Sequence, residues 1–219
     1  HHLSSRRQRQ MCIRDRTETD MELLQRFSFS GLPIRGQWIR LDQTLKSLAQ
    51  YAEYPDDVKK LLGEMFAAVT MVADNLKFSG AVSLQSKGDG ALTRSLAECR
   101  DQHYLRGIAH VATDKAADIR SSNLADWLGN GQLALSLLPD KSTRMNPYQG
   151  LVEIDPAGLA ASLEGYFQNS EQLQTRLHFA SLDGTTTGLL LQRLPDAPEA
   201  SEVSICLLYT SDAADESSS

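Results

Sequence analysis

Three side chains in the middle of the chain, Cys99, His103 and His110, are of types that can bind a metal ion. Zinc sites usually take ligands from local pairs such as C-x-x-C or H-x-x-x-H, and this set contains neither pair. Cys99 as a nucleophile would need a nearby base, and the distant histidine that could serve is His178. A loop cysteine and two strand histidines explain these residues better, so we predict no metal or cofactor in this chain.

Two glycine-rich triplets, Gly88-Asp89-Gly90 and Gly129-Asn130-Gly131, could in principle bind phosphate through their backbone. Neither triplet has the Lys-Ser/Thr ending of a P-loop or the G-x-G-x-x-G spacing of a dinucleotide site. We therefore interpret both as tight turns.

Two Arg-Gly pairs, Arg35-Gly36 and Arg106-Gly107, lie in strand-like segments. Glycine within a strand indicates a bulge or a close approach of another group. The alternative interpretation is a small-molecule or anion-binding α+β module that uses Arg35 and Arg106. The chain has neither the G-x-S-x-G of a hydrolase nor the H-E-x-x-H of a zinc protease. We predict that it is not an enzyme, although a site built from scattered residues in a large polar pocket stays open.

The elements that would position these residues follow from hydrophobic periodicity and turn signals. Apolar alternation bounded by glycine, proline and aspartate predicts strands at 23–30, 34–41, 81–86, 91–98, 104–112, 132–138, 148–154, 176–182 and 188–194. Three- and four-residue apolar spacing predicts helices at 42–51, 57–76, 123–128 and 155–168. Hairpins mixed with helices, without strict βαβ alternation, predict one α+β domain of mixed or antiparallel sheets packed with a few helices.

Helix starts are predicted from capping residues. Asp42, Asp56 and Asn123 precede apolar periodic segments and are expected to cap them. Asp155-Pro156 combines a cap with proline at the first helical position, and Asn169-Ser170 should open a further short turn. Gly63 in the middle of helix 57–76 costs about 1 kcal/mol relative to alanine, so we expect another segment to pack closely there.

The two ends of the chain differ from its middle. Residues 6–16 and 206–215 can be encoded by the two complementary strands of one DNA word that resembles a transposon-end adapter. We interpret 1–16 and 205–219 as adapter-derived artefacts, 17–198 as the folded domain and 199–204 as the start of a linker. The alternative is a basic arm for nucleic acid and an acidic tail.

Charge and cysteine content limit the class of protein. The formal net charge is −6, and it stays negative without the two ends, which argues against broad nucleic-acid binding. Cys99 is the single cysteine outside those ends, so a disulfide framework is excluded and a reducing compartment is favoured. No apolar segment approaches membrane-spanning length. We expect a cytoplasmic protein that binds neither nucleic acid nor membrane.

Several segments together resemble the redox-regulated 33-kilodalton heat-shock chaperone (chaperonin) family. They are Arg35-Gly36, Tyr54-Pro55 with VKKLLGE at 58–64, LKFSG at 76–80, QSKGDGAL at 85–92, RGIAHV at 106–111, GNGQLALSL at 129–137, YQGLVEI at 148–154 and YFQNSEQLQTRL at 166–177. Their number and order make the match specific over roughly 23–195. The motif residues, expected to be structural, are Arg35, Gly36, Tyr54, Pro55, Gly63, Glu64, Gly88, Asp89, Gly90, Arg106, Gly107, Gly129, Asn130, Gly131, Tyr148 and Gly150.

The resemblance implies the N-terminal domain of an ATP-independent holdase that binds unfolding client proteins. In the family, a C-terminal module with C-x-C and C-x-x-C pairs holds zinc, and oxidation releases the zinc and promotes a homodimer. None of those four cysteines is in this chain, so zinc is implied only for the missing module. Exposed apolar surface would bind clients. The candidate client-binding residues are Trp38, Ile39, Val58, Leu62, Met65, Phe66 and Val69, and the alternative is that those of helix 57–76 are all buried.

Overall fold

The computed structural model describes residues 23–76, 79–101, 104–112, 115, 119, 123–142 and 145–194. The ends interpreted as adapter-derived, the linker start at 199–204 and His103 lie outside the described residues.

The described part of the chain contains strands and helices close to the predicted positions. The strands are β1 (Leu23–Ser28), β2 (Ile34–Leu41), β3 (Gly80–Lys87), β4 (Leu92–Arg100), β5 (Tyr104–Val111), β6 (Gln132–Pro139), β7 (Tyr148–Val152), β8 (Thr175–Leu182) and β9 (Thr185–Arg193). The helices are α1 (Gln43–Tyr51), α2 (Asp56–Asp74), α3 (Leu124–Leu128) and α4 (Leu159–Ser170).

The strands form two antiparallel sheets. The four-stranded sheet has the order β1-β2-β9-β8, so the first and last hairpins of the chain pair through β2 and β9. The five-stranded sheet has the order β5-β4-β3-β6-β7. These pairings confirm the predicted hairpins and the α+β class.

Helix α2 lies between the two sheets and supplies the centre of the core. It packs on β3, β4 and β5 of one sheet and on β2, β8 and β9 of the other. Buried residues therefore surround the helix instead of forming one stripe, as expected for a helix covered on both sides. Gly63 explains part of this packing, because a Cβ there would collide with the side chain of Thr186 on β9.

The predicted caps of α1 and α2 need correction, whereas that of α3 is confirmed. The residue at the N-cap of α1 is Asp42, but its side chain caps no backbone N–H and instead pairs with Lys46 Nζ at 2.7 Å. Pro55 occupies the N-cap of α2, and Asp56 is its first helical residue. Asn123 caps α3 as predicted, by accepting from the Asp126 N–H at 3.1 Å.

The Asp155-Pro156 prediction was wrong in position. Asp155 Oδ1 accepts from the Ala157 N–H at 2.7 Å, which makes a turn ahead of the helix. Helix α4 begins three residues after Pro156, with Gly158 at its N-cap, and continues through Ser170 without a separate turn. The reason is that the Asp155 N–H donates to Ser162 Oγ at 2.9 Å, so the aspartate is bound in front of α4 rather than capping it.

Candidate functional site

The candidate client-binding residues divide between core and surface. Val58, Leu62, Met65, Phe66 and Val69 of α2 are all at most 1% exposed. They hold the two sheets together, so client contact through them would require the fold to open. This burial corrects the expectation that α2 offers them as surface.

Trp38 and Ile39 point to opposite faces of the four-stranded sheet, because neighbouring residues in a strand alternate. Ile39 is 1% exposed and packs in the core beside α2, as its contact with Gly188 shows. Trp38 is half-buried on the face away from α2. Its neighbours across the sheet are Gln25 on β1 and Leu189 on β9. Ile39 is therefore removed from the candidate surface, and Trp38 remains.

We call the apolar residues on the side of this sheet away from α2 the Trp38 face, which comprises Phe27, Ile34, Trp38, Leu189 and Leu191. Ile34 and Leu191 are buried, at 4% and 3% exposed, whereas Trp38 and Leu189 are half-buried. The ring of Phe27 covers Gly36, where any Cβ would collide with it, and meets the Phe29 ring edge-on at 5.6 Å. This contact explains the Arg35-Gly36 motif, because only glycine leaves room for the ring.

The Trp38 face is partly open to solvent and has a polar border. Phe27 is 37% exposed and Leu23, beside it on β1, is 44% exposed. Arg176 and His178 of β8 border the face, opposite Leu191 and Leu189 respectively. An apolar centre with a polar rim is the usual anatomy of a protein-binding surface.

The two motif arginines are not brought together. Arg35 lies on β2 of one sheet and Arg106 on β5 of the other. Arg106 forms an ion pair with the buried Glu98 at 2.7 Å, while Arg35 donates to the side-chain oxygen of Gln192. A shared anion site for both arginines is therefore excluded by their positions.

The glycine triplets are turns, as predicted, and hydrogen bonds join one turn to the other. Asp89 accepts hydrogen bonds from the backbone N–H and the side-chain amide of Asn130, at 2.9 and 3.0 Å. A Cβ on either Gly88 or Gly90 would collide with the backbone around α3. Gly129 has a φ of 63° and ends α3, a conformation that favours glycine. Gly131 is packed against Leu128 in the same contact.

The remaining motif residues are also packing residues. Tyr54 accepts a hydrogen bond from the Ala109 N–H at 3.3 Å, which ties the start of α2 to β5. Gly107 lies under the ring of Phe66, and Gly150 lies under the ring of Tyr166. Burial raises the pKa of Glu64, and the positive charge of Lys60 acts in the opposite direction by favouring the carboxylate.

An apolar cleft between the two sheets was not anticipated from the sequence. Its volume is about 140 Å³. The polar groups at the cleft are those of Arg35, Asn75, Tyr166, Glu171 and Gln192. The hydroxyls of Tyr166 and Tyr148 donate to Glu171 Oε1 at 2.9 and 3.3 Å. Burial, then the hydrogen bonds that the Tyr166 hydroxyl makes with Tyr148 and Glu171, raise the pKa of Tyr166. The residues come from distant segments, so no local spacing could have indicated them.

The described residues do not fit a zinc ion or a nucleophile. Within the part of the chain that the structure describes, no three His, Cys, Asp or Glu side chains converge on a metal position. Cys99 is fully buried on β4, and His178 lies on the outer side of β8. The described residues therefore offer no ligand set for the zinc that the family resemblance implies.

In the described segments, no helix has both the length and the apolar character needed to cross a membrane.

Comparison with known proteins identifies the family. The model of the family described as Hsp33 protein matches residues 22–213, a range that extends into the segment for which an adapter origin stays a prediction. A 33 kDa chaperonin of Shewanella denitrificans is 34% identical over 181 residues, covering 83% of this chain and 61% of that protein. One from Histophilus somni is 37% identical over 189 residues, covering 84% and 64%.

The fold agrees with the sequence relationship. The crystal structure of the 33 kDa chaperonin (heat shock protein 33 homolog) from Thermotoga maritima superposes with a TM-score of 0.60 and 18% identity, covering 76% of this chain and 58% of that one. The chain thus spans less than two thirds of the length of these relatives. With this fold and these relatives, the chain belongs to the Hsp33 protein family.

Proposed function

We propose that this chain is the client-handling part of an ATP-independent holdase chaperone, and that clients bind on the Trp38 face. The observation that carries the proposal is the partly exposed apolar surface formed by Phe27, Trp38 and Leu189. Unfolded proteins present apolar segments without fixed shape, and an open sheet face with a polar rim can accept many of them. Its relatives are called chaperonins, which supports a chaperone function over a catalytic one.

Redox regulation is proposed for the whole protein only. The relatives are longer than the matched part, which leaves room for the cysteine-rich zinc module that the family resemblance implies. Thiolates hold zinc under reducing conditions, and oxidation would release it and unmask apolar surface. Dimerisation and a cytoplasmic location belong to the same proposal, as does the absence of covalent chemistry on clients.

The test is suppression of client aggregation by the chain without oxidant or nucleotide. Light scattering from a heat-unfolding client should fall when a stoichiometric amount of the chain is present. The double variant Phe27→Ser, Trp38→Ser should suppress less, because it removes the two aromatic side chains of the Trp38 face. The matched control is Leu151→Ser, which removes an apolar side chain that is 67% exposed on β7 of the other sheet.

Melting temperatures of both variants separate client binding from folding. If scattering is the same with and without the chain, the holdase proposal is wrong. If Leu151→Ser loses as much activity as the double variant while both stay folded, the Trp38 face is not the binding surface.

A further inference from the structure

The cleft between the sheets carries an inference independent of client binding. Its wall is formed by β2 and β9 on one side and by β6 on the other, with the end of α2 and the end of α4 closing it. The apolar side chains that line it are Val72, Leu76, Leu135, Leu137, Phe167, Leu173 and Leu190. A dry apolar cavity of roughly 150 Å³ is large enough to bind benzene, so a body of about six carbons fits this cleft.

Arg35 brings a positive charge to the lining of the cleft. Its guanidinium is half-buried, and both of its side-chain hydrogen bonds go to the neutral amide oxygen of Gln192. Among the described residues it has no carboxylate partner, and burying a cation without one is unfavourable.

The acidic side chains near the cleft are already engaged. Asp74 pairs with Arg26 and also accepts from the Gln37 amide at 2.6 Å. Glu171 accepts from the two tyrosine hydroxyls and lies at the exposed rim. A carboxylate for Arg35 is therefore not supplied by either neighbouring acid.

We propose that this cleft binds a small aliphatic monocarboxylate, with the carboxylate on the Arg35 guanidinium and the apolar body against Leu135, Leu137 and Leu190. A guanidinium and a carboxylate form a charge-assisted, two-pronged hydrogen-bonded pair. A ligand here would contact both sheets and stabilise their packing.

The probe is hexanoate, with hexanol as the neutral analogue and hexylamine as the cationic one. Hexanoate should bind the full chain in calorimetry and raise its melting temperature with concentration. Hexanol and hexylamine should bind roughly tenfold more weakly or worse, because neither can pair with Arg35.

Arg35→Gln should weaken hexanoate binding by roughly tenfold or more. The matched control is Arg94→Gln, which removes the same charge from β4, where the described residues offer no ion-pair partner. It should bind hexanoate like the unaltered chain.

Amide chemical shifts of the unaltered chain keep the test independent of how the variants fold. Hexanoate should shift the amides of Phe167, Leu173 and Gln192, and leave Ala97 in the five-stranded sheet unchanged. The proposal is overturned if hexanoate fails to bind at millimolar concentration or if hexanol binds as tightly as hexanoate. It is also overturned if folded Arg35→Gln binds hexanoate like the unaltered chain, or if hexanoate shifts amides outside the cleft instead.

Discussion

At the scale of single residues, close approaches of other groups explain the glycines of the family motif. Gly36 accommodates Phe27, Gly63 accommodates Thr186 and Gly107 accommodates Phe66. Each contact joins elements that are distant in the chain. Close packing explains the glycine of each Arg-Gly pair, while Arg35 and Arg106 make separate local contacts with Gln192 and Glu98.

Replacement of Gly107 by alanine should destabilise the fold. Its Cβ would lie 2.5 Å from the Phe66 ring and 2.8 Å from the Leu96 carbonyl oxygen, and a strand backbone cannot easily move away. Overpacking of this kind costs about 1–3 kcal/mol. The free energy of unfolding measured in urea gives the value.

Gly165→Ala is the matched control for that change. Gly165 lies within α4, and a Cβ there meets nothing within 4 Å. Because alanine favours a helix, this variant should be more stable by roughly 0.5–1 kcal/mol. Equal stability of the two variants would contradict the assignment of Gly107 as a packing glycine.

Residue identity predicted part of the candidate surface and not the rest. Trp38 and Ile39 were both predicted to lie on the client-binding surface, but alternation along β2 places them on opposite faces of the sheet. Phe27, Leu189 and Leu191 were missed because only the β1-β2 and β2-β9 registers bring them beside Trp38. Alternation along β2 was the sequence signal that could have separated Trp38 from Ile39.

At the scale of elements, the turn after β3 and the turn before β6 are joined by hydrogen bonds between Asp89 and Asn130, which we call the Asp89 clasp. Asp89 of the first turn accepts two hydrogen bonds from Asn130 of the second. Both turns were predicted from their glycines, but their contact could not be, because it depends on β3 pairing with β6. Local signals likewise misplaced the starts of α2 and α4. Asp56 lies within the first turn of α2 and pairs with Lys59, and Asp155 accepts from the Ala157 N–H ahead of α4.

The Asp89 clasp should make stability depend on pH. Hydrogen bonds from the Asn130 side chain and backbone hold the pKa of Asp89 below its ordinary value of 3.8. The folded state thus favours the carboxylate, so its contribution is present above pH 3.8 and is lost as pH falls through the lower folded value. Urea midpoints of the unaltered chain and Asp89→Asn should differ most near about pH 6 and converge in acid.

Asn130→Ala provides the complementary variant for the clasp. It removes the amide donor but leaves the backbone donor, so it should lose part of the same acid-dependent stability. A difference between Asp89→Asn and the unaltered chain that stays constant from neutral to acidic pH would show that Asp89 is not the titrating group.

At the scale of the whole molecule, α2 makes the two sheets one cooperative unit. Its side chains are buried on both sides, against β4 and against β9. Hydrophobic periodicity predicted the helix and its burial, but the second covered side follows only from the complete topology. The long apolar run from Ala67 to Met71, broken only by Thr70, was the signal for a helix covered all round.

The two tryptophans should report the same unfolding transition. Trp38 lies in the four-stranded sheet, and Trp127 lies in α3 beside the five-stranded sheet. In the single-tryptophan variants Trp38→Phe and Trp127→Phe, fluorescence and circular dichroism should give coincident urea curves within each variant. A curve for Trp38 that precedes loss of circular dichroism would show that the four-stranded sheet opens separately.

The pairing of the first and last hairpins has a consequence for synthesis on the ribosome. The β2 edge is among the first parts of the domain to emerge, and its partner begins at Thr185. Until then, β2 exposes unpaired backbone groups beside Trp38, as an aggregation-prone edge strand does. Closure of so long a loop slows folding. The nascent domain therefore passes through a stage in which it resembles the clients proposed for it.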